Sequence, residues 1–188
     1  LSVGSVVAFT NVLAAKLLVS GWSTPSVVAG CVIAGGVIGL LNGSVIAYFR
    51  LLPFIVTLGA MGIVRGSAKW LSDKQTINNP ENVALNRLMA LEKPQEFLPL
   101  PPGIWIALCL AVVIAVLMRR TVFGRHIVAL GSNEAAALLS GVRVSAVKLG
   151  TYTVAGLLFG FAGLLQNSRL TQGDPTVAGG LELDIIAA

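Results

Sequence analysis

The stretch Ser26 to Phe49, SVVAGCVIAGGVIGLLNGSVIAYF, decides the fold: no charge interrupts it before Arg50. About 20 mostly apolar residues in helical form cross some 30 Å of hydrocarbon, so this run is long enough to span a membrane. Gly35, Gly39 and Gly43 recur every four positions within it, which puts them on one helix face. In lipid, small residues at that spacing let two helix backbones approach closely.

Four further stretches share this character. Leu1 to Val19 contains Asn11 and Lys16, and Pro53 to Leu71 contains Arg65. Pro102 to Met118 ends at Arg119-Arg120, and Leu149 to Ser168 lies between Lys148 and Arg169. Pro53 and Pro102 open their runs, where a missing N–H costs a helix least. Gly62 with Gly66, and Gly156 with Gly160, repeat the small-residue spacing. All seven glycines read as packing positions that bind nothing. The expected fold is all-α, a polytopic transmembrane helix bundle of about five spans, forming one domain over residues 1–188.

Composition agrees. Of 188 residues, 55% are hydrophobic and 11% charged, against roughly 25% charged in an average soluble domain. There are too few polar side chains to cover a soluble surface, and too little charge for disorder. The 21 glycines have no collagen-like period. The net charge of +5 sits between apolar runs, so loop placement explains it and no nucleic-acid partner is expected. Cys31 and Cys109 fall inside apolar runs with no Cys-x-x-Cys or clustered His, so neither a disulfide nor a metal site is expected. The chain begins at Leu1 and stops at Ala188 just after an apolar run begins, with no signal peptide. It reads as an internal piece of a longer protein.

Loop charges set the orientation. If Arg50 lies inside, the 119–148 connection does too. That side then holds Arg50, Arg119, Arg120, Arg125, Arg143 and Lys148 against Glu134. The other side holds the long 72–101 loop, with Lys74, Arg87 and Lys93 against Asp73, Glu81, Glu92 and Glu96. Trp22, Trp70 and Trp105 then fall at the outer interface, where indole rings prefer to be.

The spans contain no Asp or Glu, whereas proton-coupled carriers generally need intramembrane ionisable groups. The chain has no G-x-x-x-x-G-K-[ST] loop, H-E-x-x-H or G-x-S-x-G, so neither ATP binding by that loop nor an enzyme is expected, and no cofactor is implied. Any driving energy comes from another subunit or from sequence beyond this chain. The polar groups inside spans are Asn11, Asn42, Thr57, Arg65 and Asn167. Asn42, Thr57 and Arg65 are candidates for a solute path. Their alternatives are an interhelical hydrogen bond for Asn42, and snorkelling or packing for Arg65. His126 is assigned no role.

The inner 119–148 loop carries a short helix. Ser132 is the expected N-cap, Glu134 is favourable in the first turn, Ala135 to Leu139 propagate well, and Gly141 is the stop. Such a helix either lies in the headgroups or projects as a docking surface. Its mostly alanine face is too small to anchor well in lipid.

Several motifs together resemble the ribose-type sugar permeases of bacterial ATP-binding-cassette importers. They are Leu1-Ser2-Val3-Gly4, Pro53-Phe54-Ile55-Val56-Thr57-Leu58-Gly59, Arg65-Gly66, Phe123-Gly124-Arg125, Gly131-Ser132-Asn133-Glu134-Ala135-Ala136, Ser140-Gly141-Val142 and Gly180-Leu181-Glu182-Leu183-Asp184. The resemblance implies a multi-pass permease subunit of the bacterial plasma (inner) membrane, embedded in lipid and paired with a second permease copy as a homodimer. It also implies an ATP-binding-cassette ATPase subunit on the inside and an extracytoplasmic solute-binding protein outside. Ser132, Asn133, Glu134, Ala135, Ala136 and Gly141 match the element that couples to the ATPase. Four residues, Ala137 to Ser140, separate Ala136 from Gly141 here, one more than in the Glu-Ala-Ala-x-x-x-Gly pattern of other importer permeases. The implied cargo is a ribose-like monosaccharide. The alternatives are branched-chain amino acids or nucleosides, an ATP-independent carrier, or a membrane scaffold. The 72–101 loop is read either as a contact for the binding protein or as a linker.

Overall fold

A computed structural model describes residues 2–49, 51–80, 84–87 and 101–180. Arg50, Glu81, Glu92, Lys93 and Glu96, and the 181–184 part of the last motif, lie outside the described residues. The helices are α1 (Val3–Val19), α2 (Thr24–Phe49), α3 (Pro53–Leu71), α4 (Pro102–Arg120), α5 (Val122–Ser132), α6 (Glu134–Leu139) and α7 (Val144–Leu170). Two short strands, β1 (Ile77–Asn78) and β2 (Gln172–Gly173), and one 3-10 turn (Ala84–Arg87) complete the described elements.

The stretch most interrupted by polar residues forms the centre. On α1, Gly4, Ser5, Val6, Val7, Ala8, Thr10, Asn11, Val12, Ala14, Ala15 and Leu18 are buried, because α2, α3 and α7 all pack against it. Small side chains on every side of one helix allow three neighbours to close in. The Thr10 hydroxyl is masked by donating to the Val6 carbonyl at 2.9 Å, and Gly163 of α7 gives it room.

The largest helix contact is between α2 and α7, and it is a glycine seam. A methyl added to Gly35 would lie 2.7 Å from the Gly160 Cα, and one on Gly39 would lie 2.9 Å from the Gly156 Cα. One on Gly43 would press on Leu149 and Tyr152. The absence of side chains therefore sets the interhelical distance. Gly62 and Gly66 are different. Both are exposed on α3, and added methyls there meet nothing within 4 Å among the described residues. In this chain α3 packs through Thr57, Val64 and Ala68 instead.

Among the described residues, three helices are long and apolar enough to cross a membrane: α2, α4 and α7. At 17 residues, α1 covers only about 26 Å at 1.5 Å per residue, and α3 carries Arg65 and Lys69. Both pack into the same bundle. By contrast α4 stands apart. Gly103 is its buried residue, while Leu108, Val112, Val113 and Val116 are exposed. An apolar surface that large is at home against hydrocarbon, not water.

Residues 121–131, expected as part of a loop, instead form a helix with its cap. Thr121 caps α5, accepting from the Gly124 N–H at 3.1 Å and donating to the Leu117 carbonyl at 2.6 Å. The turn from α4 is so tight that a methyl on Gly124 would lie 2.6 Å from the Met118 Cα. Phe123 then seats against Gly150 of α7. A cap residue followed by Val122, Phe123, Ile127 and Leu130 at helical spacing was the available signal.

At the end of the bundle bearing Trp22 and Trp70, β1 and β2 pair antiparallel, Ile77 opposite Gly173 and Asn78 opposite Gln172. The 3-10 turn there delivers Leu85, fully buried, into a cluster with Ala14, Leu18, Val27, Cys31 and Leu164. Part of the long 72–101 stretch is thus core.

Candidate functional site

At the opposite end, α6 projects from the bundle. Its N-cap is Asn133, whose side-chain oxygen accepts the Ala136 N–H at 3.0 Å. Ser132, the expected cap, instead closes α5. The chain is extended at Asn133 (φ −157°, ψ 105°), the backbone state a cap requires, so the two helices break one residue later than the sequence suggested. Glu134 occupies the first turn, and both its oxygens accept from Lys148 Nζ of α7, at 2.7 and 2.9 Å. The helix closes with the Gly141 N–H on the Leu138 carbonyl (3.0 Å) and the Val142 N–H on the Ala137 carbonyl (3.1 Å). That pattern needs a left-handed residue after the cap, and Gly141 supplies it at φ +80°.

Of this helix Ala137 is buried, while Ala135, Ala136, Leu138 and Leu139 are exposed, Leu139 at 90%. A groove of about 840 Å³ separates it from the α2–α3 junction at Leu51 and Leu52. The groove is amphipathic: Leu51, Leu52, Leu138 and Val142 line it together with Glu134, Arg143 and Lys148.

Two of the three solute-path candidates come together. Asn42 of α2 and Thr57 of α3 both line a cavity of about 400 Å³ between α1, α2, α3 and α7, with Ser2, Phe54, Tyr152 and Phe159. Asn42 Nδ2 donates to Ser2 Oγ at 3.4 Å, and the Thr57 hydroxyl donates to the Pro53 carbonyl at 2.9 Å. Among the described residues no carboxylate, ammonium, guanidinium or imidazole lines this cavity. It offers aromatic faces and neutral hydrogen-bonding groups. Arg65 is elsewhere. Its guanidinium donates to the Ala178 carbonyl at 3.5 Å, beneath a turn in which Asp174 Oδ1 accepts from the Thr176 N–H and hydroxyl, at 2.7 and 2.6 Å.

The described residues thus form a helical bundle packed by a glycine seam, with a capped helix projecting at one end and a cavity lined by uncharged residues, an architecture suited to a membrane. The chain belongs to the family described as branched-chain amino acid transport system / permease component, which it matches over residues 1–188. It is 40% identical to the L-arabinose ABC transporter permease protein AraH of Azospirillum brasilense, covering all of this chain and 54% of that protein. It is 35% identical to the ribose import permease protein RbsC of Escherichia coli K12 and 38% identical to that of Bacillus subtilis, covering all of this chain and 58% of each. The chain thus spans about half the length of the curated relatives it matches. No solved structure matches. The resemblance to ribose-type sugar permeases therefore holds over the whole chain, and the chain is a multi-pass protein of the bacterial inner membrane.

Proposed function

We propose that this chain is the membrane-spanning permease part of an ATP-driven importer of a monosaccharide, and that α6 couples it to the ATPase. The observation that carries the reading is the Glu134–Lys148 pair, bidentate at 2.7 and 2.9 Å. It ties the projecting helix to the base of α7, so a push on α6 moves α7 and, through the glycine seam, α2. The α5–α6 end carries Arg119, Arg120, Arg125, Arg143 and Lys148 against Glu134, which supports a cytoplasmic position by the positive-inside rule. A second permease copy and an extracytoplasmic binding protein complete the assembly.

The family description mentions branched-chain amino acids, whereas the relatives are named for arabinose and ribose. The cavity favours the sugar. A zwitterionic amino acid taken from water needs a counter-charge at each end, and a neutral sugar needs hydrogen bonds and ring faces alone. The test is co-purification of the intact parent chain with its ATPase, as wild type and as Glu134→Lys. Co-elution of the wild type, lost in the variant, is the expected result. Co-elution of neither, with uptake surviving ATP depletion, turns the reading to an ATP-independent carrier.

A further inference from the structure

His126 and Arg143 line one cavity. It measures about 360 Å³ and lies between α5 and the start of α7, with Phe123, Gly141, Ala146 and Val147 completing its walls. α5 lies along α7 here because Phe123 seats against Gly150, where an added methyl would lie 2.9 Å from the ring. Among the described residues no carboxylate lines the cavity. Glu134, the acid nearest in sequence, is taken up by Lys148 at 2.7 Å. Arg119, Arg120, Arg125 and Arg143 are exposed, and none has an ion-pair partner among the described residues. A guanidinium fork and an imidazole N–H on one cavity without an acid are donors for an anion with several oxygens.

A second cavity adjoins the first. It measures about 400 Å³ and lies between the end of α2 and the start of α7, lined by Ser44, Val45, Tyr48, Phe49 and Leu149. Ala146 lines both cavities. Tyr48 and Phe49 are exposed, Tyr48 at 86%, and their rings meet edge to face at 5.7 Å. Since α2 ends and α7 begins at this level, Ser44 and Leu149 lie about one helical turn deeper in the bundle than Tyr48 and Ser145. The cleft therefore runs from the helix ends toward the middle of the membrane. A free anion or an acidic peptide would occupy the polar cavity and leave the aromatic cleft empty. A phospholipid fills both, with its phosphate in one and an acyl chain in the other. The setting supplies such a lipid. The neighbouring α4 exposes Leu108, Val112, Val113 and Val116 before it ends on Arg119 and Arg120. Basic pockets between membrane helices suit anionic headgroups, and a tyrosine ring suits the headgroup level.

We propose that the α5–α7 cavity binds the phosphate of an anionic phospholipid through Arg143 and His126, with an acyl chain in the α2–α7 cleft beside Tyr48 and Phe49. The inference rests on the membrane location of the chain and not on which solute it carries. It gives His126 a ligand.

The experiment uses the intact parent chain, purified in detergent and titrated with dioleoylphosphatidylglycerol, with native mass spectrometry counting the lipids retained. The first lipid should bind about tenfold more tightly than dioleoylphosphatidylcholine, the factor a charge-assisted hydrogen bond supplies. Arg143→Gln should lose that preference, and His126→Gln should weaken it. Arg119→Gln, the same change of charge outside the cavity, should keep it. Neither Arg143 nor His126 is buried, so the lipid-free variants should melt at the wild-type temperature. Equal affinity for the two lipids overturns the site. So does an equal loss in Arg119→Gln, which marks diffuse attraction of charge. Displacement of the lipid by an equal concentration of inorganic phosphate assigns the cavity to free phosphate and overturns the lipid. An Arg143→Gln variant that keeps the preference but no longer co-elutes with the ATPase assigns the cavity to that protein's surface, and the proposal falls. Lipid affinity is read without ATPase or solute, so a failure of the importer reading is seen separately.

Discussion

Lys148 and Glu134 are bound to each other by two hydrogen bonds, at 2.7 and 2.9 Å, and this pair links the first turn of α6 to the second turn of α7. The Glu134 side chain is 56% exposed and that of Lys148 23%. Solvent-exposed ion pairs contribute about 0–1 kcal/mol to stability. The pair thus adds little to the stability of the fold, and on the coupling reading proposed above its role is to transmit a displacement.

Glu134→Gln should therefore lower the melting temperature little while reducing ATP-driven uptake, and Glu134→Lys should abolish uptake with membrane insertion intact. Exchanging both charges, Glu134→Lys with Lys148→Glu, should restore part of the uptake lost in the single variant. Uptake by reconstituted vesicles and a thermal melt decide it. A large loss of melting temperature in Glu134→Gln, or normal uptake in Glu134→Lys, would contradict the transmission role.

The cap gives an independent handle on the same helix. Removing an Asn N-cap costs about 0.5–2 kcal/mol, and a six-residue helix has little else to hold it. Asn133→Ala should speed amide hydrogen exchange across residues 134–139 and reduce uptake. Ser132→Ala should leave both at wild-type values, since Ser132 ends the preceding helix. Hydrogen exchange by mass spectrometry reads this directly.

The bounds of α1 to α4 and the glycine seam were legible because hydropathy and four-residue spacing are local signals, whereas α5 was not read as a helix and α7 starts at Val144, five residues before the apolar run. The sequence could not say which glycine pairs had a partner. Gly62 and Gly66 have the spacing of Gly35 and Gly39, yet they face no atom within 4 Å among the described residues. Asn11 weakened its stretch as a span when read alone, but it is buried against Asn167, 156 positions away. Partners that remote leave no periodic trace. The cap was misplaced by one residue because Ser132 and Asn133 are adjacent and both cap well. Of the three solute-path candidates, Asn42 and Thr57 line one cavity and Arg65 does not. Polarity within a span marks a residue as unusual without saying what it faces.

The seam supplies a contrast between chemically equal changes. Gly39→Ala and Gly156→Ala place a methyl against the facing backbone, at 2.9 Å and 2.8 Å from the opposed Cα. Overpacking of that kind costs about 1–3 kcal/mol. Both variants should lose yield and melt earlier. Gly62→Ala and Gly66→Ala should melt at wild-type temperature in the isolated permease. Early melting of Gly62→Ala would mean that α3 is covered there by a surface outside the described residues.

The cavity gives the sharpest test of solute class, because a charge and a neutral change act on it differently. Asn42 is 8% exposed, and Asn42→Asp would set a carboxylate where no cation among the described residues lines the wall. An unpaired buried charge is strongly unfavourable, so uptake of a neutral sugar should drop sharply. Thr57→Val keeps the shape and removes only the hydroxyl, which already donates to the Pro53 carbonyl. Loss of one such bond is worth about 1 kcal/mol, so the fold should hold. If the sugar passes here, the KM for transport should rise several-fold as the acceptor lone pairs of Thr57 vanish. Arg65→Gln touches the Ala178 turn, not the cavity, and should leave that KM unchanged. A KM moved by Arg65→Gln and indifferent to Thr57→Val would put the solute path along the Ala178 side of α3.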